Sequence, residues 1–278
     1  MCPPATASFI LSLLPPPSTS TAELPRLHSH ASYHQGSIYC LAWNREHLLA
    51  SGSNDQTVRL MRFDGQDGLP ASAPCDLHVH QSTVRDVAFL NDDILVSAGS
   101  GDCTIKLVDC RTQNSLLDLR GHVEQILALA VHNRQMVLSA GQDKLVKCWD
   151  VASRSAVASV HLPSPVGSLD VRDTTLAAVC LDGSLSLYDL RMLDSACPLT
   201  SARLHDGECR SVRFSPDGLF LLSGSYDRSA RATVVSSLHS KVVATHSDKV
   251  IQCRWHPSGL VCASTGVDKR ACFWRVAR

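Results

Sequence analysis

No apolar stretch of this 278-residue chain approaches the roughly 20 residues that cross a bilayer as a helix. Neither sign of charge is in excess: 26 Lys and Arg face 26 Asp and Glu. No bulk basic field is therefore available to attract nucleic acid. Aromatic residues are scarce, at 5%. Although the chain has 12 cysteines, no two are spaced as CxxC, which argues against a zinc ribbon. Gly-rich phosphate loops, paired carboxylates and nucleophile motifs are also missing outside the repeats described below, so an enzyme is not expected. Most cysteines lie in strand-like runs, as Cys40, Cys148, Cys180, Cys253, Cys262 and Cys272 do, where they act as small apolar fillers. That usage fits a reducing, cytoplasmic setting. The segment "CDLHVH" offers Cys75, His78 and His80, but His80 is claimed by the repeat, and no metal or cofactor is expected.

The chain is rich in one recurring segment. Residues 139–150 read "SAGQDKLVKCWD", a polar turn carrying Asp143 between two runs of Val, Leu, Ser and Cys. Turn aspartates recur at Asp55, Asp102, Asp143, Asp182, Asp227 and Asp268, separated by 47, 41, 39, 45 and 41 residues. A histidine precedes each at nearly constant distance. His34, His122 and His161 lie 21 residues ahead; His80, His205 and His246 lie 22 ahead. Short alternating runs such as "TVRDVAF", "ILALAV" and "VIQCRW" read as strands between these marks.

Repeats of about 40 to 45 residues with an early His and a Trp-Asp ending resemble WD40 blades, over residues 34–278. The fold that this resemblance implies is an all-β propeller of six recognisable four-stranded blades. It also implies a buried hydrogen-bonded set of His, Ser, Asp and Trp in each blade. The third copy has the full set in His122, Ser139, Asp143 and Trp149, and the sixth in His246, Ser264, Asp268 and Trp274. Copies one and five carry Met61 and Thr233 at the Trp position. Copy two has an extra residue, so Ser97 fits its slot only roughly. Copy four is weakest, with Ala178 and Tyr188.

Residues 1–24 are rich in Pro, Ser and Thr and are expected to be disordered, leaving 25–278 as the propeller. The last copy ends at "FWRVAR" without an outer strand, and residues 26–33 are the candidate to supply one. Six copies in the 245 residues from His34 suit six blades. The motifs "HQGSIYCLAW", "SAGSGDC" and "DKVIQCRWH" are similar to the carboxy-terminal propeller of the nemitin family of microtubule-associated WD-repeat proteins. That family carries one more repeat ahead of "GSIYC", so a seven-blade ring lacking its first blade is the alternative. Its LisH and CTLH helical segments do not occur here.

Propellers bind partners with loops at one end of the sheets. By repeat alignment, that end carries Tyr39, Asn54, Arg85, Gln125, Gln142, Glu208, Arg210, Tyr226 and Lys249. Tyr and Arg are favoured at binding hot spots. The resemblance implies a non-catalytic interaction scaffold, associated with microtubules or tubulin in the cytoplasm and contacting neither nucleic acid nor membrane. The alternative is a phosphopeptide or degron reader using Arg85 and Arg210, because guanidinium groups match phosphate.

Overall fold

A computed structural model describes residues 33–63, 70–195, 197–259 and 261–275. The proposed lead segment 1–24 and most of the 26–33 clasp lie outside these residues. The described chain is all-β apart from one 3-10 segment at Leu190–Ser195.

Each repeat folds into one antiparallel meander. Sheet 1 holds β1 (Ile38–Trp43), β2 (Leu48–Ser53), β3 (Val58–Arg62) and β4 (Cys75–Leu77). Sheet 2 holds β5 (Val84–Phe89), β6 (Ile94–Gly99), β7 (Thr104–Asp109) and β8 (Ser115–Arg120). Sheet 3 holds β9 (Ile126–His132), β10 (Met136–Gly141), β11 (Leu145–Asp150) and β12 (Ser155–His161). Sheet 4 holds β13 (Val166–Arg172), β14 (Thr175–Cys180), β15 (Ser184–Asp189) and β16 (Thr200–Arg203). Sheet 5 holds β17 (Cys209–Phe214), β18 (Phe220–Ser225), β19 (Ser229–Val234) and β20 (Ser240–Thr245). Sheet 6 has three described strands, β21 (Val250–Trp255), β22 (Val261–Gly266) and β23 (Ala271–Arg275). These six sheets are the blades of a six-blade β-propeller. Two compact units make up the described chain, one running to Cys209 and the other starting at Arg210.

The turn between the second and third strands explains the recurring aspartate. In all six repeats one Asp oxygen, Oδ1, accepts the backbone N–H two residues on, at 2.9–3.2 Å. The residue between them is left-handed every time: Gln56, Cys103, Lys144, Gly183, Arg228 and Lys269 have φ between 52° and 86°. An L-residue in that conformation costs about 1–2 kcal/mol, and the carboxylate bond offsets it locally. The extra residue of copy two is absorbed in this turn, at Ser100–Gly101. It leaves Ser97 paired with Lys106, as Ser51 is paired with Arg59.

Sheets pack face to face through small and branched side chains. Ala50, Val58 and Leu60 of sheet 1 share a cluster with Val84, Val87 and Leu95 of sheet 2. Sheets 2 and 3 join through Ile105, Leu107, Ile126 and Leu129, and sheets 3 and 4 through Val146, Cys148, Val166 and Leu169. Gly52 lets the sheets approach: a Cβ there would meet Cys40 Sγ and Val84 Cγ1 at 2.6 Å.

The turn of sheet 4 gives a discriminating test. A Cβ on Gly183 would strike the His205 carbonyl, and the Gly183 carbonyl itself accepts the N–H groups of Leu204 and His205. Gly183→Ala is expected to lower stability by about 1–3 kcal/mol. Lys144→Ala, in the same left-handed position without that obstacle, should stay within about 0.5 kcal/mol of the parent. Urea midpoints decide it, and equal midpoints for the two variants would contradict the close approach.

Candidate functional site

The loop that precedes each first strand and the turn after the second strand lie against each other. Backbone bonds tie them: Asn54 N–H to the Ser37 carbonyl at 3.1 Å, Gln142 to Gln125 at 2.8 Å, and Val267 to Lys249 at 2.9 Å. Gln125 and Gln142 are thereby neighbours, as are Lys249 and Val267.

The histidine sits under this junction. In sheet 3, Trp149 Nε1–H donates to Ser139 Oγ at 2.7 Å. The Ser139 hydroxyl then donates to His122 Nε2 at 2.7 Å, and Nδ1–H donates to Asp143 Oδ2 at 2.7 Å. The Val123 N–H shares that oxygen at 3.3 Å. Because the ionised Asp143 carboxylate can only accept, Nδ1 carries a proton, and in the neutral ring Nε2 is then the acceptor of the Ser139 hydroxyl. Gly121 leaves room for the indole, since a Cβ there would meet Trp149 Cη2 at 3.1 Å. Sheets 1 and 2 repeat the His links: His34 reaches Ser51 and Asp55, both at 2.8 Å, and His80 reaches Ser97 at 2.8 Å and Asp102 at 2.9 Å.

Two expectations need correction. In sheet 6, His246 bonds Ser264 at 2.8 Å and Asp268 at 3.0 Å, but Trp274 Nε1 has no hydrogen-bond partner. The full four-member chain is therefore not formed there. In sheet 4 the histidine is not His161, which is exposed at the end of β12 and paired with Leu145. Leu162 takes the place instead. Its N–H bonds the Lys144 carbonyl at 2.8 Å, as the His246 N–H bonds the Arg228 carbonyl at 2.8 Å in the next-but-one repeat boundary. Leu162, Ala178 and Tyr188 are all buried in one apolar cluster. Replacing every polar member together avoids the cost of an orphaned one.

Burial lowers the pKa of His122, and the bond to Asp143, which acts the other way, does not cancel it. For Asp102, burial works upward, but the hydrogen bonds from His80 and from the Thr104 and Gln81 N–H groups hold the carboxyl at about 2. Asp55 and Asp268 are lowered in the same way, by hydrogen bonds that outweigh burial. Burial pushes the Cys253 thiol up to about 12 and the Cys180 and Cys262 thiols up to about 11, so these cysteines stay protonated and unreactive.

Above the histidines, aromatic and basic residues pair both across neighbouring sheets and within one. Arg85, the second residue of β5, stacks on the Tyr39 ring of β1 at 4.5 Å. In the other compact unit, Tyr226 is flanked by Arg210 at 5.2 Å and Lys249 Nζ at 4.7 Å. Sequence reasoning named these residues but not their pairing: Arg85 with Tyr39 and Lys249 with Tyr226 join different repeats, while Arg210 and Tyr226 meet within sheet 5. Asn54, Gln125 and Lys249 are exposed, while Gln142, Glu208 and Tyr226 are half-buried. Val123, 79% exposed beside His122, went unnamed. So did a cleft at the opposite ends of β1, β5 and β9, lined by Trp43, Arg45, Phe89, Asp92, Val131 and Arg134. Trp43 and Phe89 close their strands, and no local pattern marks them as surface-forming.

The WD40 profile (WD domain, G-beta repeat) matches residues 25–60, 74–109, 113–150, 197–232 and 237–275. The chain belongs to the WD40 family. The unmatched stretch 151–196 contains the first three strands of sheet 4, where Leu162, Ala178 and Tyr188 replace the polar set. Echinoderm microtubule-associated protein-like 2 of Rattus norvegicus is 28% identical over 253 residues, covering 88% of this chain and 38% of that protein. Protein tipD of Dictyostelium discoideum is 23% identical, covering 87% and 40%. A ribosome biogenesis protein WDR12 homolog of Arabidopsis thaliana is 22% identical, covering 74% and 56%. The chain thus spans about two-fifths to just over half the length of these relatives.

The buried network should respond to truncation in a graded way. Trp149→Ala is expected to cost about 3–5 kcal/mol as a large buried aromatic, and Asp143→Ala about 1–3 by orphaning its partners. Asp182→Ala, which loses only its own turn, should cost less than Asp143→Ala. Denaturant midpoints rank the three, and a harmless Trp149→Ala would overturn the assignment.

Acid should act in two windows. His122 titrates lower folded than unfolded, so its contribution is complete above about pH 6.5 and is lost as pH falls through its depressed value. Asp102 is lowered to about 2, so its contribution is intact above about pH 4 and is lost as pH falls toward 2. Thermal midpoints from pH 8 to 3 should fall in this order. A rise in stability between pH 7 and 5 would contradict the neutral histidine.

Proposed function

We propose that this chain is a non-catalytic interaction scaffold whose partner docks on the loop end of the sheets, through Tyr39, Asn54, Arg85, Gln125, Gln142, Glu208, Arg210, Tyr226 and Lys249. The paired cations and tyrosines are the observation that carries this reading. Stacking a guanidinium on a ring holds both side chains in place, which lowers the entropy lost when a partner binds them. The His–Asp–Ser sets resemble catalytic triads in composition only. Ser139 is fully buried and its Oγ already serves His122 and Trp149, so it has no path to a substrate.

The partner we favour is a microtubule or a microtubule-associated protein, in the cytoplasm. The support is the echinoderm microtubule-associated protein-like relatives from rat and mouse, which match 88% and 87% of the chain at 28% identity. We read residues 25–278 as one propeller domain and 1–24 as an appended segment. A second reading is favoured by the ordered guanidinium groups of Arg85 and Arg210: recognition of an acidic or phosphorylated segment.

Co-sedimentation with assembled microtubules, with and without added microtubule-associated proteins, tests the first reading. Arg85→Glu with Arg210→Glu should reduce binding at least tenfold, since attraction to an acidic surface becomes repulsion. Loss of the two stacks should cost no more than about 1 kcal/mol of stability each. Tyr39→Ala and Tyr226→Ala should weaken the same partner by releasing the cations. If all three variants bind as the parent does, the docking surface lies elsewhere, and the cleft of Trp43 and Phe89 becomes the place to probe.

A further inference from the structure

The third-strand residue four after the turn aspartate lies directly opposite one residue of the outer strand. In sheet 1 these are Arg59 and Asp76, and in sheet 2 Lys106 and Asp118. Each cation donates to the carboxylate facing it, at 2.8 Å in both sheets. In sheet 4 the two positions hold Ser186 and Ser201, with no charge to match. Sheet 3 is different. Lys147 keeps the cation, but Ser159 stands where Asp76 and Asp118 stand. Among the described residues Lys147 has no ion pair. Its charge acts on the buried His122 instead, disfavouring the imidazolium.

The strand that carries Ser159 is also the least guarded of the described outer edges. β12 is seven residues long and contains no Asp, Glu, Lys or Arg. Its counterparts β8 and β20 carry Asp118, Arg120 and Lys241, while β4 and β16 have only three and four residues. Charge and shortness are the usual guards of a sheet edge. Among the described residues no strand pairs with the outer side of β12. The Leu162 N–H bonds the Lys144 carbonyl, so by antiparallel alternation Val160 and Ala158 bond β11. Ser159 and His161 then turn their N–H and carbonyl groups outward. One face of β12 is covered, since Ala158 and Val160 pack with Leu193 of the 3-10 segment. The other face, with Ser159 and His161, is exposed.

We propose that β12 accepts an extended acidic segment of a partner protein as a fifth strand, with a carboxylate passing over the small Ser159 to meet Lys147. Paired strands lie about 4.8 Å apart, so an Asp or Glu opposite Ser159 stands two spacings from Lys147, within the combined reach of both side chains. Main-chain bonds to Ser159 and His161 supply affinity, and the lysine selects an acidic strand. The occupant thus provides in trans the carboxylate that sheets 1 and 2 provide in cis. This edge is separate from the loop-end residues, and the proposal goes beyond docking there.

Fluorescence polarisation of a labelled peptide of alternating valine and glutamate, titrated with the full chain, tests the proposal. The parent should bind this probe, and a peptide of alternating valine and lysine should not bind. Ser159→Asp gives sheet 3 the carboxylate that sheet 2 has. It should weaken binding by about tenfold or more, by taking up Lys147 and repelling the probe. Lys147→Gln should weaken binding without adding repulsion, and it serves if Ser159→Asp does not fold. A valine–glutamate peptide N-methylated at alternate residues cannot bond the edge and should not bind. A parent that leaves the probe free up to millimolar concentration overturns the proposal. Undiminished binding by both variants also overturns it and places the probe at the loop end, where Arg85 and Arg210 are intact in each. Equal binding of the N-methylated peptide overturns strand addition, because a plain charge contact would then suffice.

Discussion

In sheets 1, 2, 3 and 6 one carboxylate does two jobs, and the rest of the blade is arranged around it. One Asp oxygen caps the turn and holds the next residue left-handed; the other takes the proton of a buried histidine. Asp143 makes both contacts within 3.1 Å. The first job sets the register of the second and third strands. The second anchors the loop that begins the first strand. Since the same loop and turn form the outer end of the blade, the group that closes the hairpin also positions the surface above it. Sheet 4 shows that the buried part of the device can be exchanged for apolar side chains. Asp182 keeps its turn, while Leu162, Ala178 and Tyr188 fill the space below it with apolar surface.

Much of this was legible in the sequence because it depends on local chemistry repeated at a fixed period. The turn aspartates, the strands between them and the serines four residues earlier follow from turn propensity and alternation. The reading of His161 failed for a physical reason. The loop entering each first strand varies by a residue, so counting back from Asp182 reached an exposed histidine one position from the buried Leu162. What places Leu162 is a backbone bond to Lys144, in the preceding repeat. Trp274 failed differently: its type and spacing match Trp149, yet no acceptor meets its Nε1. The contacts of Arg85 with Tyr39 and of Lys249 with Tyr226 join residues 46 and 23 positions apart in different repeats, and no single repeat encodes them.

The division between network and surface explains how one architecture serves unlike relatives. Proteins named for microtubules and for ribosome biogenesis match 88% and 74% of this chain. They share the sheets, and the sheets need only the turn carboxylate and small buried side chains. The charge balance adds to that division. With 26 residues of each sign there is no global field, so any steering must come from local groups such as the stacked arginines.

The central claim is that the buried His122 ring is neutral, with the proton on Nδ1 donated to the turn aspartate. Nitrogen-15 NMR of the His122 ring reads this directly. The predicted result at pH 7 is a protonated Nδ1 coupled to a slowly exchanging hydrogen, with an unprotonated Nε2 shift that persists below pH 6.5. A ring protonated on both nitrogens at pH 7, or one carrying its proton on Nε2, would contradict it.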